Sequence, residues 1–166
     1  MHTYHPCLAL AALALATALP VCGPAHAAGF AAAAGPSVTT SGHVASAAFV
    51  SVFGWHPANH RIHFEPLGTL GWVSSRHTRA ADLDHEVFFA AGGVRVVSAN
   101  HHWFLGEQLA VTSARTDALS SRFEFMTGGG WEDGHFVVML RHVSNAHLLG
   151  GGRNLGETML LAGVRF

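Results

Sequence analysis

The chain is poor in charge and poor in cysteine. Charged residues make up 11% of it and the formal net charge is −1, so the basic surface that nucleic-acid recognition requires is missing. Its two cysteines, Cys7 and Cys22, both precede residue 28. The remainder therefore offers neither a disulfide nor a thiol nucleophile. No apolar run beyond residue 27 is long enough for a transmembrane helix. His101-His102 and His60-x-x-His63 invite a metal reading, but no Cys, no HExxH and no clustered carboxylates accompany them. We expect no metal and no cofactor.

Residues 1–27 read as a secretory signal peptide. Leu8 to Val21 is an Ala/Leu-rich apolar run too short to span a membrane comfortably, and Ala25-His26-Ala27 offers a small-x-small cleavage site. A lipoprotein site at Cys22 is the weaker alternative, because bulky Val21 stands where a small residue is wanted. Residues 28–166 make one domain.

That domain is built of pieces about ten residues long, rich in aromatic and β-branched side chains and broken by Gly, Pro, Asn and Asp. Strands are expected at Val44–Trp55, His60–Ser75 (interrupted at Pro66 and Gly68), Glu86–Ser98, His102–Ser113, Arg122–Trp131, His135–Ala146 and Glu157–Phe166. Glu132-Asp133-Gly134 signals a tight hairpin. Seven strands imply an eighth, because single-chain bacterial barrels have an even number, and Gly29–Gly42 is where it fits. The fold expected is all-β: an eight-stranded antiparallel transmembrane β-barrel in the bacterial outer membrane.

In His135–Ala146, one parity carries Phe136, Val138, Leu140, His142 and Ser144; the other includes Arg141 and Asn145. Arginine is penalised on the lipid face, so the charge-free parity should face lipid and the other the lumen. His142 and Ser144 then point outward. If Asp133-Gly134 is a periplasmic turn, they lie nearly a full spanning strand away, close to the outer leaflet. By the same rule, Arg141 should join an interior polar network with a strand carboxylate. Glu107, Glu124, Glu132 and Asp133 are assigned to the lumen or to turns.

A serine hydroxyl needs a base within hydrogen-bond reach, and that base needs an orienting partner. His142 and Ser144, two apart on a strand, leave the same face and supply the first two parts. The segment Arg141-His142-Val143-Ser144-Asn145-Ala146, followed by Asn154 and Gly156 and a last strand ending Gly163-Val164-Arg165-Phe166, resembles the outer-membrane lipid A 3-O-deacylases of the PagL type. Upstream only the strand rhythm is compatible. The resemblance implies hydrolysis of the 3-O-linked acyl ester of lipid A, with lipopolysaccharide as partner and no nucleic acid; a homodimer is left open. It also implies Ser144 as nucleophile and His142 as base, with Asn145 and Asn154 shaping an oxyanion site or fixing the loop. The family's acid stands four residues after the loop Asn, and here that residue is Thr158. Glu157 is one short and of opposite parity, but a bulge at the strand mouth would let it turn. Glu157 is the expected orienter of His142 and Thr158 the alternative. The rival function is a non-catalytic small barrel with a structural or adhesive role, and a phospholipase-like esterase comes third.

Overall fold

The computed structural model describes residues 28–54, 62–146, 148 and 153–166. The expected signal segment, residues 1–27, lies outside them, as do the end of the first long strand candidate at Trp55 and the histidines His60 and His147. Eight strands form a closed antiparallel barrel in sequential order. They are β1 (Gly29–Val38), β2 (Val44–Phe53), β3 (Ile62–Val73), β4 (Val87–Ser98), β5 (Trp103–Thr112), β6 (Phe123–Asp133), β7 (Phe136–Ser144) and β8 (Glu157–Arg165). The eighth strand that composition alone placed loosely is β1, within Gly29–Gly42. Closure comes from β1 pairing with β8, Ala34 opposite Ala162. Phe30 and Phe166 then exchange backbone hydrogen bonds of 3.1 and 2.8 Å. A closed barrel leaves no unpaired edge, the condition for putting backbone into a medium without water.

Pro66 does not interrupt β3. The β2–β3 ladder ends at Phe53 opposite Leu67, so the proline needs no N–H on that side. Between β6 and β7 the hairpin takes two residues, Gly134 and His135, with Asp133 opposite Phe136. Gly134 has φ +54°, a value that glycine adopts without a Cβ penalty.

Side chains alternate along each strand, and the two faces differ in kind. Outside, Phe64, Trp103, Leu105, Phe136, Leu140 and Leu160 are each more than half exposed, part of an apolar belt far larger than the scattered patches of a water-soluble protein. Inside, polar groups are buried and mostly paired. Arg95 donates to Glu65 at 2.6 Å and to Glu132 at 3.1 Å, and Arg165 donates to the other Glu132 oxygen at 2.7 Å. Ser51, Thr69 and Gln108 form a second interior chain. Arg141 also points inward, 4% exposed, but among the described residues no carboxylate meets it. Its guanidinium lies 4.5 Å from the Phe49 ring centroid, so the expected ion pair is replaced by a cation–π contact.

The two ends differ as well. At one end lie the short connections 99–102 and 134–135, the start of β1, the end of β8 and the connection 54–61, of which only residue 54 is described. At the other end stand 39–43, 74–86, 113–122 and 145–156. Leu83, Ala118 and Leu119 from two of these loops are buried and close the barrel mouth over Met126, Met159 and Leu161.

Candidate functional site

His142 and Ser144 sit at the loop end of β7 and face outward: His142 is exposed and Ser144 half-buried, while Arg141 before them and Val143 between them point in. The alternation of β7 decides this, because burying Val137, Met139 and Val143 leaves the other parity outside.

Cross-strand register gives His142 its neighbours. It lies opposite Thr158 on β8 and Thr127 on β6. Nδ1 of the ring is 2.9 Å from the Thr158 hydroxyl. Glu157 is not brought to the histidine. Its parity holds, no bulge intervenes, and Glu157 lies opposite Val143 with its side chain in the lumen. There it takes a 2.5 Å hydrogen bond from Ser37 and an ion pair from Arg76. The expected orienter is therefore an interior structural carboxylate, and the alternative, Thr158, is the residue on the ring.

The Asn154-x-Gly156 element acquires a physical reason. Asn154 Nδ2 donates to Ser144 Oγ at 2.9 Å and to Asn145 Oδ1 at 2.5 Å. Gly156 has φ +64°, and a Cβ there would meet His142 Cε1 at 2.9 Å and Nε2 at 3.3 Å. The imidazole lies over a position where only glycine leaves room. Asn145 is fully buried and donates from Nδ2 to Ser120 Oγ at 2.9 Å, so it anchors the loop rather than facing outward with Ser144. Ala146 turns the chain at φ +52°, and its N–H donates to Ser144 Oγ at 3.1 Å. A non-glycine residue in that region costs on the order of 1–2 kcal/mol.

Neighbouring loops hold this element in place. Leu155 N–H donates to Asp117 O at 3.0 Å and Gly156 N–H to Ala118 O at 2.9 Å, while the Thr40 hydroxyl donates to Leu155 O at 2.9 Å. Arg153 reaches Ala80 O at 2.6 Å. Sequence reasoning missed Ser120, Asp117 and Ala118, because nothing in a polar loop foretells which of its groups will meet another loop.

Chemically, Ser144 Oγ accepts from two donors, and among the described residues its own proton meets no acceptor. With Nδ1 against Thr158, Nε2 is the nitrogen left to act as a base. Among the described residues no hydrogen bond joins the ring to Oγ. In hydrolases that bond is commonly long before substrate binds.

Of the four other acidic residues assigned from sequence, Glu124 and Glu132 face the lumen and Asp133 borders the hairpin. Glu107 does not follow. It faces outward on β5 between Leu105 and Leu109 and accepts from the Thr127 hydroxyl at 2.6 Å. The signal was available: Trp103, Leu105, Leu109 and Val111 share its parity, and four large apolar residues outweigh one charge. Of the histidines considered for a metal, His63 stacks on His101 at 5.0 Å between centroids and His102 on Trp131 at 6.1 Å.

No protein-family model and no curated protein matches the chain. Among solved structures it is similar to Ail, the attachment invasion locus protein of Yersinia pestis. The identity is 12%, covering 84% of this chain and 96% of that one, with a TM-score of 0.42. A likeness at that level identifies neither family nor activity.

Proposed function

We propose that the chain is an outer-membrane ester hydrolase that releases the 3-O-linked acyl chain of lipid A, with Ser144 as nucleophile and His142 as general base. The observation that carries this reading is the placement of the pair. His142 and Ser144 stand on the outside of a closed barrel, at its loop end, with Asn154 on the hydroxyl and Gly156 beneath the ring. An outward catalytic pair suits a hydrolase whose substrate is a lipid lying beside the barrel wall. The apolar belt and strands of 9 to 12 residues suit a bilayer crossed by tilted strands. Lipopolysaccharide as the substrate comes from the resemblance of the His142–Ala146 and Asn154–Gly156 segments.

In the reaction, Ser144 Oγ attacks the ester carbonyl carbon and its proton passes to His142 Nε2. The tetrahedral intermediate collapses by breaking the bond to the sugar oxygen, which takes the proton from His142, leaving an acyl-enzyme. Water, deprotonated by the same nitrogen, then attacks the acyl carbon; the fatty acid departs and Ser144 recovers its proton.

A barrel without catalysis is favoured by one observation, the neutral Thr158 where the resemblance would have an acid. Mass spectrometry of lipid A from cells with and without the protein decides between them. Loss of one acyl chain that depends on Ser144 supports hydrolysis; identical spectra sink it.

A further inference from the structure

Within the strands, among the described residues, the ionisable side chains that face outward are Glu107, His142 and, beside the hairpin, Asp133. Glu107 and His142 occupy one cross-strand row: Glu107 lies opposite Thr127, Thr127 opposite His142, and His142 opposite Thr158. Leu105 and Leu109 flank the carboxylate on its strand, and Leu140 and Leu160 lie in the neighbouring row, all well exposed. A carboxylate amid such a belt is costly in lipid unless something of opposite charge or a donor meets it, and an ionisable residue there marks function. One donor is supplied by Thr127 at 2.6 Å. Among the described strand residues, the group on this face within two strands that can become cationic is the His142 ring.

That ring needs a negative charge. Taking the Ser144 proton makes it an imidazolium, and Thr158 is neutral while Glu157 is bound to Arg76 inside the barrel. We propose that Glu107 is the positioning residue for His142: its carboxylate, held by Thr127, stabilises the imidazolium from the β6 flank in place of an acid on Nδ1. Thr127 is suited to stand between them. Its hydroxyl proton is committed to Glu107, and its place in the row is directly opposite His142. The inference deepens the hydrolase reading above and depends on it.

The test uses the full-length protein refolded in detergent, with folding checked by heat-modifiable gel mobility. Two substrates that need no lipid report on Ser144, a p-nitrophenyl ester and a fluorophosphonate label. Glu107→Gln should lower kcat by on the order of tenfold to a hundredfold with KM little changed. Thr127→Val should lower it similarly, and the double variant should be no worse than either alone, because both break one link. In a Thr158→Glu background, where a carboxylate stands on Nδ1, Glu107→Gln should cost less than about threefold. An active wild type whose kcat is untouched by Glu107→Gln overturns this inference alone. So does a Glu107→Gln loss that persists undiminished beside Thr158→Glu, since the carboxylate would then be serving something other than the ring. A wild type that takes no label at Ser144 overturns the hydrolase reading and this one with it.

Discussion

Inside and outside, the barrel carries charge on different terms. Glu65 and Glu132 are buried in the lumen and meet Arg95 and Arg165, and Glu157 meets Arg76. Those pairs neutralise one another and knit strands to strands and to the 74–86 loop. Glu107 and His142 face outward among leucines, each with a threonine hydroxyl as its hydrogen-bond partner. Folding gains nothing from setting ionisable groups in an apolar belt, where a leucine or valine would satisfy the wall better. The interior charges are explained by the fold they support; the exterior ones find a reason only in the proposed work on a lipid.

The comparison breaks hardest at the nucleophile. Ser144→Ala should abolish ester release, by on the order of 10⁴-fold or more, while leaving a heat-modifiable barrel, since one outward hydroxyl is lost. Wild-type rates from that variant would remove the site from the outer face altogether. His142→Asn should come close behind, because Oγ then has no proton acceptor, and lipid A mass spectra read both variants side by side.

Gly156→Ala should fall between activity and stability. The added Cβ meets the ring at 2.9 Å, and displacing a base by about 1 Å can cost roughly a hundredfold in rate. The positive φ adds on the order of 1 kcal/mol of strain. A rate within twofold of wild type would show that the ring does not depend on that cleft.

Thr158→Val and Glu157→Gln separate the two faces at adjacent positions. Thr158→Val should lower the rate about tenfold by freeing Nδ1, with unfolding little changed. Glu157→Gln should do the reverse. The rate should stay within a few-fold of wild type, while breaking one side of the buried Arg76 pair destabilises the barrel mouth by roughly 3–5 kcal/mol, seen as unfolding at lower denaturant. A Glu157→Gln protein that is stable yet inactive would return the carboxylate to catalysis and reverse the assignment.

Much of this was legible beforehand for a simple reason. Period-two alternation is a local property, so Phe136, Val138, Leu140, His142 and Ser144 declare a common face without help from the rest of the chain. The outward pair, seven of the strands and a hairpin at Gly134 all follow from alternation and turn chemistry, although the turn takes Gly134 and His135 rather than Asp133 and Gly134. Even the opposition of Glu157 and Thr158 was written in their parity; the expectation of Glu157 as orienter asked a bulge to overrule it, and none is there. Sequence by itself therefore determined which residues face which way. What only the tertiary structure decided is which residues stand side by side, because register between strands is set by closing all eight into one barrel. That closure places Thr127 between Glu107 and His142, seats the ring over Gly156 and turns Arg141 onto Phe49. It also brings Asn154 back across ten residues of chain to the Ser144 hydroxyl. Each of these contacts joins separate strands or loops, and no local pattern can specify a partner that only the closed wall brings near.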